Sequence, residues 1–413
     1  MSYEIYVHNN QVLFSGTLRT DAIDNAMRAI SEVVDEARYP SVIVDLTKVD
    51  TAFGNFLTVL LNRLIFLKQN RIEVSVPDPE RYPIKTQLYR LNFFSLLSPQ
   101  KRKMRAVRAD RALPIMRFKD ADEQGHVVDV MTKALLMQIP GLDRSQVRSA
   151  QWAVSEITDN VLNHANSITG GLAYAQINHR LKNIEFVVAD AGIGIPRSLG
   201  ELDPGRALQQ AITEGVTRNK ETNQGNGLYG TWRLATLSRG VFVIHSYRGM
   251  MFVRPDGSQK TNSKAIRYPG TFVIFQIDYS DPELISSALT FKGRLHEPAY
   301  DLIEKEFETD DANIFLIKLS DHVVSVGSRE SGKRISNLIA NVLNMSGGAK
   351  INIDFDDILM VSSSFADECF GRLVSQLGPA EFFSRVTFLN TDSALRSIID
   401  RSIMQRLKYV GEA

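Results

Sequence analysis

Two short apolar runs, SVIVDL at residues 41–46 and KINIDF at 350–355, constrain the fold more than any other feature. Runs of this kind bounded by turn signals read as strands buried in a helix-covered sheet. Around the first, YEIYVH and QVLFSG read as strands flanking Asn9-Asn10, and DAIDNAMRAISEVVDEA has helical spacing. FGNFLTVLLNRLIFLKQ, RIEVSV and IKTQLYRLNFFSLL follow as helix, strand and helix. Around the second, ANIFLIKLS and HVVSV read as strands and SRESGKRISNLIANVLN as a helix. SSFADECFGRLVSQL, RVTFLN and TDSALRSIIDRSIMQRL then follow as helix, strand and helix. Both ends therefore share the order ββαβαβα, with an Asp ending the third strand (Asp45, Asp354) and a Phe opening the next helix (Phe53, Phe365). Such alternation predicts an α/β chain with largely parallel terminal sheets.

This order, with the stretch SSSFADECF, resembles the STAS fold, the small domain of anti-sigma-factor antagonists. The resemblance implies binding modules rather than enzymes, at residues 1–98 and 312–413. The segment 99–114, PQKRKMRAVRADRALP, is rich in Lys and Arg and reads as a basic, solvated linker, and 283–311 as a connector.

Between the two ends lies a different set of signals. The helix SEITDNVLNHA, residues 155–165, places Glu156, Asn160 and His164 four residues apart on one face. The strand NIEFVVAD ends in DAGIGIP, so that Asp190 is followed by Gly192 and Gly194, where glycine lets the backbone approach a ligand. A carboxylate beside such a turn can accept a hydrogen bond from an exocyclic amine. TEGVTRNKETNQGNGLYG, residues 213–230, is polar and aperiodic until a helix begins. Gly225-Asn226-Gly227 at that helix N-terminus suits an anion, because free N–H groups and the helix dipole point at it. GTFVIFQID then opens with Gly270 and Thr271 a strand expected beside VVAD.

The order ExxxN, DxGxG, GxG, GT resembles the GHKL superfamily of ATP-binding domains, shared by gyrases, heat-shock chaperones, histidine kinases and mismatch-repair proteins. The resemblance covers residues 115–282 and implies an α/β sandwich, a mixed sheet with helices on one face. AVSEITDNVLNHA is most similar to anti-sigma-factor serine kinases and some sensor kinases, which share a His four residues after the Asn and then a small residue, here His164 and Ala165. Chaperone and mismatch-repair members carry Asp where this chain has Asn163. By the resemblance, Asn160 is the Mg²⁺ ligand and Glu156 orients or deprotonates the nucleophile. Asp190 reads adenine, with Thr271 as its partner through water. Gly192, Gly194, Gly225 and Gly227 shape the pocket floor and lid hinge, with Leu228 following. His164 serves packing or a phosphate contact, and Arg218 and Lys220 of the lid lie within reach of the γ-phosphate.

The resemblance implies a Mg·ATP-dependent regulatory protein, a slow ATPase or switch whose nucleotide state controls the STAS-like modules. Alternatives are a serine kinase of the partner-switching type, with Ser363 as phosphoacceptor, and a non-catalytic ATP-gated scaffold. A sensor histidine kinase would need His126 as its phosphoacceptor, and the acidic residue and Pro of such a box are missing after it. Composition narrows the partners further. A net charge of +1 gives no reason to expect nucleic acid. The single cysteine, Cys369, excludes an intramolecular disulfide. MSYEIYVHNN lacks signal-peptide character, and FLTVLLNRLIFL is too short for a bilayer and interrupted by Asn62 and Arg63. The expectation is a cytoplasmic, bacterial-type protein that binds ATP and a protein partner, with self-association open and no membrane anchor.

Overall fold

The computed structural model describes residues 3–77, 79–100, 109, 112–213, 215, 227–281, 290–291, 294–295, 301–311, 313–323 and 325–410. The chain forms two compact units. One comprises Met1–Val107, Leu113–Val128 and Gln151–Glu297, the other Arg108–Ala112, Asp129–Ala150 and Pro298–Ala413. The class is α/β, as the strand–helix alternation predicts.

The first unit begins with the hairpin β1 (Tyr3–His8) and β2 (Gln11–Leu18), reversed at Asn9, whose φ of 52° Asn tolerates well. Helix α1 (Ile23–Ser31) runs into a π-helical turn, and β3 (Ser41–Ala52) follows. After α2 (Gly54–Gln69), β4 (Glu73–Ser75) completes a sheet of order β1-β2-β3-β4, parallel from β2 onward. The last expected helix is broken into α3 (Lys85–Arg90) and α4 (Phe93–Leu97) by Asn92 at φ 59°.

The same unit then builds a seven-stranded sheet. Strand β5 (Met116–Phe118) leads into helices α5 (Ala121–Gln138) and α6 (Arg144–His164), which have residues in both units. Hairpin β6 (Gly171–Asn178) and β7 (Asn183–Asp190) precedes short helices α7 (Ile195–Leu199) and α8 (Pro204–Ala211), then α9 (Gly227–Leu237). Strands β8 (Phe242–Tyr247), β9 (Gly249–Val253), β10 (Gln259–Asn262) and β11 (Tyr268–Asp278) complete the order β10-β9-β8-β11-β7-β6-β5. Every neighbouring pair is antiparallel, which corrects the expected mixed sheet. Three tight hairpins fix most of these directions, and β11 enters between β8 and β7 antiparallel to both. The two-residue strands β12 (Thr290–Phe291) and β13 (Arg294–Leu295) pair separately.

Helix α2 explains how the two sheets share a unit. Of its residues only Phe66, Lys68 and Gln69 escape burial. A helix apolar on every side is one buried on every side. It packs against α1, α4 and β4 of its own sheet and against β6, β7 and β11 of the larger one. One core therefore joins Phe14, Phe56 and Leu60 to Tyr174, Val187, Ala189, Phe272 and Ile274. The alternate residues Phe186 and Phe275 stack at 5.0 Å, as the period-2 side-chain alternation demands. The expectation of helices on one face counted only those of residues 115–282, and α2 adds a covering helix from outside that segment.

The second unit holds α10 (Leu302–Phe307) and a parallel sheet, β14-β15-β16 (Ile314–Lys318, Lys350–Asp354, Val386–Leu389). Helix α11 (Arg329–Met345) connects the first two strands. Helix α12 (Ser363–Ala366), a π-helical turn, α13 (Arg372–Leu377) and α14 (Pro379–Arg385) connect the next two, and α15 (Ser393–Val410) closes the chain. The expected strand HVVSV is corrected: no described residue of 322–326 is in a strand. Lacking a turn like Asn9-Asn10, the chain bends through a 3-10 turn at Leu319–Asp321, and Val323 tucks inward at 6% exposure. No helix among the described residues is long and apolar enough to cross a membrane.

Candidate functional site

Helix α6 carries Glu156, Asn160 and His164 on successive turns. Its seating is set by buried Ala153, Ile157 and Val161, and by Gln124 of α5 donating to Thr158 Oγ1 at 2.9 Å. Glu156 is partly buried and accepts a hydrogen bond from the Trp152 indole. Burial first, then the charge of Asp159, pushes its carboxyl up to about 7. Gly227, the first residue of α9, lies against Glu156: a β-carbon there would overlap Oε2 and press on the Glu156 side chain. Leu228 follows, partly buried. The Asn160 amide, also partly buried, has no hydrogen-bond partner among the described residues.

Asp190 ends β7 at 4% exposure. Its Oδ1 accepts from the Gly192 backbone N–H at 2.7 Å, and the Thr271 N–H also donates to the carboxylate. Desolvation outweighs both bonds and pushes its carboxyl up to about 7. The turn beyond it meets the end of α6: Ile193 N–H donates to the Ala165 carbonyl at 2.7 Å, and a β-carbon at Gly192 would overlap that carbonyl. Gly194 takes φ 77° where α7 begins. Thr271 lies on β11 beside β7, as the sequence suggests, with Phe272 opposite Ala189.

The structure thus gathers Asp190, Gly192, Gly194 and Thr271 against the C-terminal end of α6, and sets Glu156 against Gly227. Arg218, Lys220 and Gly225 lie outside the described residues, as do most of the basic linker and part of the connector. His126 is exposed on α5. Ser363 is the first residue of α12 and exposed, whereas the cap is Ser362, whose Oγ accepts from Phe365 N–H at 3.0 Å.

Sequence reasoning missed Ser246. Its Oγ accepts from Ile195 N–H at 2.8 Å and lies 2.9 Å from Thr271 Oγ1, tying the glycine turn to β11. A polar Ser in the apolar strand FVIHSY was the available signal. Among the described residues no three His, Cys, Asp or Glu side chains group as a metal cluster.

Residues 331–396, from α11 to the start of α15, match the family described as a STAS-like domain of unknown function (DUF4325). Over these residues the C-terminal segment is STAS-like. No curated protein matches the chain.

Proposed function

We propose that the first unit binds Mg·ATP and acts as a nucleotide-dependent regulatory switch for the STAS-like segments, reset by slow hydrolysis or phosphoryl transfer. The observation that carries this reading is Asp190, a buried carboxylate at a strand end, flanked by glycine positions that leave no room for a β-carbon. Gly270, at φ 83°, is one of them: a side chain there would overlap Asp190 itself. These glycines let the turn pack around Asp190, whose carboxylate would accept from the exocyclic amine of a base, adenine N6. The donor set fits Mg²⁺ as well. A single protein oxygen, the Asn160 carbonyl, leaves most of an octahedral shell to phosphates and water, the usual arrangement for this ion. Bound there, Mg·ATP would supply an electrophilic γ-phosphoryl group. Glu156, with its carboxyl raised to about 7, is poised to hold or take the proton of a water or hydroxyl.

A second reading is favoured by one observation. Ser363 is exposed and spared from capping, so its hydroxyl is free to accept phosphate in a serine-kinase scheme. Incubation with γ-labelled ATP and Mg²⁺ separates the outputs. Free phosphate indicates hydrolysis, label on Ser363 indicates kinase action, and unchanged ATP with saturable binding indicates a scaffold. In the first two cases Glu156→Ala should retain Mg·ATP binding and lose about 10²–10⁴-fold in turnover. Equal turnover in both proteins would remove Glu156 from the chemistry.

A further inference from the structure

The apolar helix α2 is interrupted by two polar residues with different destinations. Arg63 turns to the N-terminal sheet's own helix, donating to Asp35 Oδ2 at 3.2 Å. Asn62, at 1% exposure, turns to the large sheet. Its Nδ2 donates to the Asp190 carbonyl oxygen at 2.8 Å and to the Tyr268 hydroxyl at 2.6 Å. Both targets are buried, Tyr268 completely. They stand at the ends of the two strands that hold Asp190 and Thr271. The pairing of β11 with β8 is irregular between Tyr268 and Thr271, so ladder hydrogen bonds fix this stretch less firmly than the rest of the strand.

We infer that Asn62 is a positioning residue of the nucleotide site, contributed by the N-terminal segment; the inference rests on the ATP reading above. By holding the Asp190 main chain and the Tyr268 hydroxyl with one amide, Asn62 fixes the spacing between the Asp190 carboxylate and the Thr271 N–H that donates to it. The carboxylate's aim at the base edge follows from that spacing. Adenine offers a donor at its 6-position and guanine an acceptor, so a displaced carboxylate loses affinity for ATP and discrimination against GTP together. Neighbouring contacts bind α2 to the same sheet. Asn55 donates to partly buried Glu185 at 3.2 Å, and a β-carbon at Gly54 would overlap the Tyr174 ring. The N-terminal STAS-like segment is on this account a structural part of the nucleotide site, not a detachable arm.

The test is the ratio of equilibrium dissociation constants for Mg·ATP and Mg·GTP in the full chain, wild type against Asn62→Ala and the near-isosteric Asn62→Asp. The Asp variant keeps the volume, so it carries the test if the Ala cavity prevents folding. Both should bind ATP about tenfold more weakly with GTP changed little, the size expected once the Asn62 amide no longer donates to the Asp190 carbonyl and the carboxylate it positions shifts. An unchanged ATP:GTP ratio, whether both constants stay put or weaken in step, would make Asn62 merely structural and overturn the inference. A wild-type protein that binds neither nucleotide would instead reject the nucleotide site itself.

Discussion

Asp190 and Glu156 are both carboxylates that burial pushes up to about 7, yet in the proposed mechanism they act in different steps. Asp190 must be ionised to accept from adenine N6, so Mg·ATP affinity should rise with pH and level off above about 7. Below that value it should weaken by about tenfold per pH unit. Glu156 would appear in turnover at saturating ATP, over a similar range. Asp190→Asn should flatten the binding profile and weaken ATP relative to GTP by about 1–3 kcal/mol, the range for an unpaired buried group. Calorimetric titrations from pH 5.5 to 8.5 check both points, and a flat wild-type profile would contradict the role of Asp190. Linkage sets the sign for stability. The folded-state values are raised, so the native state binds more protons than the unfolded one between about 4 and 7. The nucleotide-free protein should therefore lose stability as pH rises through that window. In thermal melts Asp190→Asn should lose less than wild type over the same range. Most of these residues were legible, because strand-end carboxylates, glycine turns and helical spacing leave local marks. Ser246 and Asn62 were not, because they act through partners 25 and 128 residues away, Thr271 and Asp190.

At the scale of elements, the N-terminal ββαβαβα order and the β7–β11 pairing follow from local pattern. The non-strand course of the described residues of HVVSV does not, since HVVSV has strand composition and only its surroundings decide. Nor does the pervasive burial of α2, whose second partner is a sheet more than a hundred residues away. Asn341 of α11 is another such case. Fully buried, it donates to the Leu136 and Ile139 carbonyls at 2.8 and 2.7 Å and accepts from Gly141 and Leu142 N–H at 2.9 and 3.2 Å. One amide thus closes the turn between α5 and α6. Asn341→Ala would strand these backbone groups and should cost about 3 kcal/mol or more in urea unfolding. A loss under about 1 kcal/mol would show that the turn holds itself.

At the scale of the whole molecule, sequence reading divides the chain at 98, 114, 282 and 311, by shifts in composition and motif. The compact units instead place Met1–Val107 with the seven-stranded sheet and Asp129–Ala150 with the C-terminal segment. Side-chain pattern reports which face of an element is buried, but not which neighbour buries it, and these groupings depend on the neighbour. The central claim is that the first unit holds Mg·ATP between α6 and the β7 turn. Its most direct test is calorimetric titration of the full chain with Mg·ATP, wild type beside Asn160→Ala. The account predicts saturable one-site binding in the wild type, lost in a variant whose melting curve is unchanged. The absence of binding in the wild type, or equal affinity in Asn160→Ala, would contradict it.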